Sequence, residues 1–406
     1  MPKTNLIAGL DIGSATVKAL LVAKKEGEPD LEILFCGEEP SLGVRKGVVV
    51  DVDKVSRTIR ILLDRMKAET GHRINSVFVN IGGSHLCCSL SRGMVAVSRA
   101  DRNISKEDVD RVLQEAARAV SLPSNNEILE TFSKEFIIDG VGGIKEAQGL
   151  QGGRLETEVL VLSGFTPYKN NLVQAILEAG LQITDIVPAA LASSSAVLSQ
   201  KQKDLGAAVL DIGSGTSELA VFEEGELVHL AVFPIGSGNI TSDIAIGLKT
   251  DIDIAEAVKV KLGSCTLAGK DKKEKVEVEG EDPLAFSRKQ LARIIAARVA
   301  EIFGETQKEL KKVAKQNLLP SGIVLTGGGA KLPGIVELAK KELKLPCRLG
   351  KISSFKELEE KLDYATVCGL VSGGNEVTGG GIFEKGRSFP GNLGGQIKRI
   401  LKNFLP

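Results

Sequence analysis

Two short stretches of this chain repeat one another, and the repeat constrains the fold more than any other feature. Residues 7–10 lead into Asp11-Ile12-Gly13-Ser14-Ala15-Thr16, followed by an apolar run over 17–22. Much later, residues 207–210 lead into Asp211-Ile212-Gly213-Ser214-Gly215-Thr216, followed by a second apolar run over 219–222. Each copy reads as strand, turn, strand. One such turn is ordinary hairpin chemistry, because Gly, Asp and Ser are common turn residues. Two copies, each ending an apolar strand and each opening one half of the chain, imply two like-folded halves that clamp one phosphate chain between them.

The turn chemistry suits that task. Gly13 and Gly213 allow a tight turn and close approach of a ligand. Successive backbone N–H groups, including those around Ala15 and Gly215, are expected to form an anion nest. Ser14, Thr16, Ser214 and Thr216 add hydroxyl donors, and Lys18 adds a point charge. Asp11 and Asp211 cannot bind phosphate themselves. They can hold a hydrated Mg²⁺ beside it, since magnesium favours carboxylates and retained water.

A third glycine motif follows the apolar residues 323–325: Thr326-Gly327-Gly328-Gly329-Ala330-Lys331, ahead of a helix-like run over 335–343. Three consecutive glycines between strand and helix let a nucleoside lie against bare backbone. The pattern is neither a G-x-x-x-x-G-K-[ST] loop nor a G-x-G-x-x-G fingerprint.

Composition removes other classes. Lys plus Arg and Asp plus Glu both number 52, giving a formal net charge of +0, so no basic field argues for nucleic acid. Trp is absent and aromatics are 4%, which leaves few stacking platforms for single strands. None of the 6 cysteines forms a C-x-x-C pair, so they are expected to be reduced and mostly buried rather than zinc ligands. No signal peptide and no apolar stretch of the ~20 residues a spanning helix needs is apparent.

With these motifs in view, the chain resembles the actin, heat-shock chaperone and sugar-kinase superfamily, and within it the FtsA family. The matching segments include Arg92-Gly93-Met94-Val95, Gly152-Gly153-Arg154-Leu155-Glu156, Pro234-Ile235-Gly236, Asn239-Ile240-Thr241-Ser242-Asp243 and Tyr364-Ala365-Thr366. The pattern departs at Gly236-Ser237, where the family carries paired glycines, and over 130–150, which lacks a proline-bearing pattern. The resemblance implies an α/β, actin-like fold: two ribonuclease-H-like halves around a nucleotide cleft, with an inserted subdomain called 1C. It implies ATP and Mg²⁺ as cofactors, and a nucleoside site at Gly236, Glu256, Lys259, Gly327, Gly328, Gly329 and Lys331. A solvated helical pair is the bland alternative for Glu256 and Lys259.

The expected organisation is a 1A-like subdomain (1–83, 165–190 and 363–372) and the insert (84–164). A 2A-like subdomain (191–238 and 313–362) and a 2B-like subdomain (239–312) complete the body. In the insert, Ser105-x-x-Asp108 reads as a capping box ahead of a helix facing its core with Val112, Leu113 and Ala116. A helix over 166–180 is expected to have Thr166 as N-cap and Gly180 as stop.

Residues 373–395 read as a flexible, glycine-rich linker. Beyond it, Ile397, Ile400, Leu401, Phe404 and Leu405 fall on one helical face, with Lys398, Arg399 and Lys402 off it. A basic amphipathic helix of this kind suits an anionic membrane interface, the alternative being docking back on the body. The resemblance implies a cell division protein that polymerises, tethers FtsZ filaments to the cytoplasmic face of the inner membrane, and recruits other division proteins through the insert. It places the FtsZ C-terminal tail at Arg293 and Arg298. Rival readings are an adaptor similar to the pilus protein PilM, or a sugar kinase or phosphohydrolase. No residue of 188–199 offers a strong base, so ATP turnover is expected to be weak.

Overall fold

The computed structural model describes residues 5–24, 31–266, 273–276, 284–313 and 319–377. The chain enters as an antiparallel meander of β1 (Asn5–Ile12), β2 (Thr16–Lys24) and β3 (Leu31–Pro40). Both faces of β2 are covered, which is why residues 19–23 read as an unbroken apolar run. A small hairpin, β4 (Val44–Arg45) and β5 (Val48–Val49), leads to α1 (Val52–Thr70). Asp51 caps α1 by accepting from the Lys54 N–H, and Gly71 ends it at φ 72°. β6 (Ser76–Ile81) then lies parallel to β1.

The insert follows: β7 (Cys87–Ala96), α2 (Lys106–Arg118), β8 (Asn126–Ile138), β9 (Val141–Ile144) and β10 (Arg154–Phe165). Its four strands order as β7-β10-β8-β9. The helix α2 lies close against this sheet because Gly93 has no side chain; a Cβ there would come within 2.3 Å of the Val112 carbonyl oxygen. The expected capping box forms between Ser105 and Asp108. Burial pushes the Asp108 carboxyl up, but hydrogen bonds from Ser105, Arg111 and Ser98 outweigh it and hold the group well below its usual range. The insert has its own core around Ile104, Leu113, Phe136 and Leu155.

Returning to the first sheet, α3 (Thr166–Glu178) starts one residue earlier than expected. Phe165, not Thr166, is the N-cap, and no side chain caps this helix. The Thr166 N–H donates to the Asn125 carbonyl at 2.8 Å. Gly180 follows the helix at φ 85°. β11 (Gln182–Pro188) completes the first sheet beside β6, and α4 (Ala189–Val197) and α5 (Gln200–Leu205) lead to the second half.

That half repeats the first. β12 (Ala207–Ile212), β13 (Ser217–Glu223) and β14 (Glu226–Phe233) form an antiparallel meander. Between β14 and the next sheet strand come α6 (Ser237–Leu248), α7 (Ile252–Leu262), the pair β15 (Lys273–Val276) and β16 (Leu284–Ser287), and α8 (Arg288–Val313). α8 buries Leu291, Ile295, Val299, Ile302, Phe303 and Leu310 along one stripe. β17 (Ile323–Thr326) runs parallel to β12, and α9 (Ile335–Leu343), β18 (Cys347–Leu349) and α10 (Ala365–Val377) complete the described chain.

The two sheets share one topology, β3-β2-β1-β6-β11 and β14-β13-β12-β17-β18. They are joined by two crossing helices. α4 leaves the first sheet and packs on β12 and β13; α10 leaves the second and packs on β1, β2 and β6. At the crossing, a Cβ on Gly369 would come within 1.7 Å of the Ala192 carbonyl oxygen, so the helices touch backbone to backbone.

Candidate functional site

Between the sheets lies a cleft of about 750 Å³. The β1–β2 turn contributes Asp11, Gly13, Ser14, Ala15, Thr16 and Lys18, and the β12–β13 turn contributes Asp211, Gly213, Ser214, Gly215 and Thr216. The turns face each other closely: a Cβ on Gly215 would lie 2.5 Å from Ser14 Oγ. They are built alike. Gly13 N–H donates to the Thr16 carbonyl at 3.1 Å, and Gly213 N–H to the Thr216 carbonyl at 2.9 Å. These two amides therefore close their turns, which leaves the anion nest to the residues that follow them. Ser14 Oγ accepts from Gly47 N–H at 2.9 Å, so its own hydrogen is free to donate into the cleft.

The floor is acidic. Asn80 fixes Asp11 by donating to Oδ1 at 2.8 Å, while its own Oδ1 accepts from Ile12 N–H at 2.7 Å. Asp211 accepts from the Thr366 hydroxyl at 3.1 Å. Burial raises the Asp11 carboxyl to about 6; Lys18 opposes the rise, and Asp211 and Asp363 add to it. Burial likewise raises Asp211, against hydrogen bonds from Ser193 and Thr366. Lys18 Nζ donates to Thr16 Oγ1 at 2.7 Å and lies 3.7 Å from Glu38. Buried carboxylates with so little positive charge around them disfavour a bare polyphosphate and favour one that arrives with a divalent cation.

The cleft is also lined by Gly327, Gly328, Gly329 and Lys331, with Glu256 and Lys259 from α7. The three glycines do different things. Gly327, at φ 83°, is held under Asp211, where a Cβ would come within 2.3 Å of Oδ1. Gly329 packs on Ile212, with 2.4 Å to its Cγ2. Gly328 is open: the nearest atom to a Cβ is 3.9 Å away, so its bare backbone forms an empty shelf. Glu256 and Lys259 pair at 2.7 Å, and the buried Lys259 ammonium also donates to Thr241 Oγ1 at 2.8 Å and to the Ser237 carbonyl at 3.2 Å. Lys259 is thus held inside the protein, while Glu256 remains exposed. Lys331 pairs with Asp363 at the cleft mouth.

Gly236 differs from expectation. It is packed against the β12–β13 turn, where a Cβ would meet the Ser214 carbonyl oxygen at 2.4 Å, and its neighbour Ser237 lines the cleft instead. Arg298 is also engaged within the protein. Its guanidinium grips Asp243 with two hydrogen bonds, of 2.7 and 2.9 Å, and donates to Glu301. Arg293 on the same helix is exposed. Residues 373–377, expected to open the flexible linker over 373–395, belong instead to α10; the rest of that stretch and the amphipathic residues Ile397, Lys398, Arg399, Ile400, Leu401, Lys402, Phe404 and Leu405 lie outside the described residues.

Several cleft residues escaped the sequence reading, among them Asn80, Asp363 and Glu218. Glu218, on β13, is 5% exposed and lines the cleft. Its Oε2 accepts from the Ala190 N–H at the start of α4, at 3.2 Å. Burial, with Asp211 and Asp11 nearby, pushes its carboxyl up to about 8. The signal was present in the repeat. Lys18 is the register partner of Asp11, and Glu218 is the register partner of Asp211. Laying one copy on the other places a lysine and a glutamate at the same structural position.

Two matching sheets, crossing helices and a glycine-rich cleft between them define an actin-like protein. Solved structures agree. The PilM–PilN type IV pilus biogenesis complex aligns with a TM-score of 0.66 at 18% identity, covering 91% of this chain and 98% of that one. ADP-bound MreB5 of Spiroplasma citri aligns at 0.58 and 13% identity, covering 93% and 99%. Sequence comparison is more specific. The profile described as "Cell division protein FtsA" matches residues 208–369, and "SHS2 domain inserted in FTSA" matches residues 83–163. The FtsA of Pseudomonas aeruginosa is 37% identical over 90% of this chain and 88% of its own length. That of Bacillus subtilis is 37% identical over 91% and 84%, and that of Escherichia coli 32% over 97% and 96%. The chain belongs to the FtsA family of cell division proteins. Among the described residues, no helix is long and apolar enough to cross a membrane.

Proposed function

We propose that this protein binds Mg²⁺-ATP in the cleft, polymerises, and tethers FtsZ filaments to the cytoplasmic face of the inner membrane at the division site. The observation that carries the nucleotide part is the shelf at Gly328: bare backbone with open space in front of it, beside the buried Lys259 and its partner Glu256. A nucleoside fits such a shelf, and the phosphates then run between the two Asp-Ile-Gly-Ser turns. Mg²⁺, held through water by Asp11 and Asp211, would neutralise phosphate charge over the acidic floor. A ligand that contacts both halves favours their closed arrangement by its differential affinity for it, which links nucleotide to assembly.

Membrane attachment rests on the terminal amphipathic stretch. Each basic residue near an anionic surface adds roughly 1 kcal/mol, and the apolar face adds burial. One copy binds reversibly; a filament arrays many copies and holds by avidity. The exposed Arg293 is the better candidate for the FtsZ tail, because Arg298 is committed to Asp243. Other division proteins are expected to use the insert.

The test pairs two measurements on the full chain. Ile400→Glu with Phe404→Glu should abolish co-sedimentation with anionic liposomes and leave labelled ATP binding intact. Retained sedimentation would place the membrane contact elsewhere; absent ATP binding in the unaltered protein would remove the nucleotide from the proposal.

A further inference from the structure

The stretch 362–366, a single turn leading into α10, touches all three motifs of the cleft. The Leu362 carbonyl accepts from the Gly327 N–H and from the Thr326 hydroxyl, each at 3.2 Å. Asp363 pairs with Lys331, and the Thr366 hydroxyl donates to Asp211 at 3.1 Å. Tyr364 meets the remaining motif, the β1–β2 turn, through Lys18, whose Nζ lies 5.4 Å from the centre of the tyrosine ring.

That ring is held in place. Tyr364 is buried, and its hydroxyl donates to the Cys36 sulfur on β3. Burial, with Glu38, Cys36 and Asp363 adding, pushes the phenol above its ordinary range. It is therefore neutral, and offers Lys18 the face of a ring rather than a counter-charge. The rest of the ammonium's surroundings fit the same picture. Lys18 Nζ donates to Thr16 Oγ1 at 2.7 Å, while Glu38 is exposed and stands beyond hydrogen-bond range at 3.7 Å. An ammonium locked on a carboxylate would have to break that pair to reach a phosphate. One steadied by an aromatic face keeps its charge and its remaining hydrogens free for an incoming anion.

We propose that Tyr364 is a positioning residue for the nucleotide: its ring steadies the Lys18 ammonium beside the β1–β2 turn by a cation–π contact, ready for the phosphate chain. The proposal rests on nucleotide binding in the cleft. The attraction comes from the negative face of the ring, so it depends on the ring electrons and not on the hydroxyl. The exposed Lys361, 5.5 Å from the centre of the same ring but not among the residues lining the cleft, provides an internal comparison.

The test uses the full chain, Mg²⁺ and labelled ATP, with nucleotide-free melting to check that each variant is folded. Tyr364→Phe keeps the ring and should keep affinity within about 3-fold. Tyr364→trifluorophenylalanine is close to Phe in shape, but fluorine draws electrons from the ring face. Its affinity should fall about 10-fold below that of Phe, the scale of a desolvated cation–π contact. Tyr364→Leu, which has no ring, should show a similar loss. In a Lys18→Met background these three variants should bind alike, because the partner of the ring is gone. Lys361→Ala should bind like the wild type. A fluorinated variant that binds like Phe overturns the proposal. So does a Phe variant as weak as the fluorinated one, a loss that persists in full without Lys18, which would mark a merely structural role, or the same loss on removing Lys361. A wild type that binds no ATP overturns the nucleotide reading itself, a distinct result.

Discussion

Replacing Gly328 by valine separates ligand binding from folding more cleanly than any other change in the cleft. Gly328 opens the short 3₁₀ turn Gly328–Lys331, and its φ lies outside the left-handed region, so a side chain is tolerated by the backbone. A Cβ there meets nothing closer than 3.9 Å, an ordinary contact. The empty protein should therefore change stability by no more than about 0.5 kcal/mol, as surface substitutions do. The branched side chain instead projects onto the shelf. Forcing extra methyl groups against a packed ligand costs about 1–3 kcal/mol, which at 1.4 kcal/mol per tenfold is about 5- to 150-fold weaker ATP binding. Gly327→Ala is the control. It needs a side chain at φ 83° with its Cβ 2.3 Å from Asp211 Oδ1, so it should destabilise the empty fold by about 1–3 kcal/mol. Titration with labelled ATP and nucleotide-free melting, run on both variants, give the two readouts. If Gly328→Val binds ATP like the wild type, the nucleoside does not lie on this shelf; if it melts like Gly327→Ala, the space in front of Gly328 is not open.

Three further outcomes follow from particular contacts. Glu218→Gln should stabilise the nucleotide-free protein, with a gain that grows as pH rises from about 4.3, the ordinary glutamate value, to about 8, its value in the fold. The sign follows from linkage: a carboxyl raised by folding binds more protons in the native state, so the wild type loses stability across that window. Parallel pH–stability curves for the two proteins would refute the burial argument. Gly369→Leu should lower the urea midpoint strongly, because a Cβ 1.7 Å from the Ala192 carbonyl separates α4 from α10; an unchanged midpoint would mean the crossing is not a packed contact. Arg298→Glu faces Asp243 with a like charge and should lower the melting temperature, whereas Arg293→Glu should leave it unchanged and weaken binding of a fluorescent FtsZ-tail peptide. Peptide affinity lost only with Arg298 would reverse that assignment.

The sequence by itself determined the architecture, because the features that specify it are local and repeated. A strand-turn-strand with Asp, Gly and Ser at set offsets folds the same way at residues 11–16 and 211–216, and two such units predict two like sheets. The capping box at Ser105 and the glycine run after β17 were legible for the same reason: each is written within one or two helical turns. What only the tertiary structure decided depends on who lies opposite. α3 begins at Thr166 with Phe165 as N-cap, and the Thr166 N–H meets the carbonyl of Asn125, distant along the chain. Gly236 went to packing because the β12–β13 turn presses on it, and Arg298 to Asp243 because α6 lies beside α8. The three glycines at 327–329 look identical in sequence, yet only Gly328 faces open space. Glu218 reads as a polar residue in a strand until the sheet places it at the cleft floor, where burial and two neighbouring aspartates give it its character. Local pattern sets backbone form, but the chemistry of a buried side chain is set by neighbours that the chain brings together only on folding.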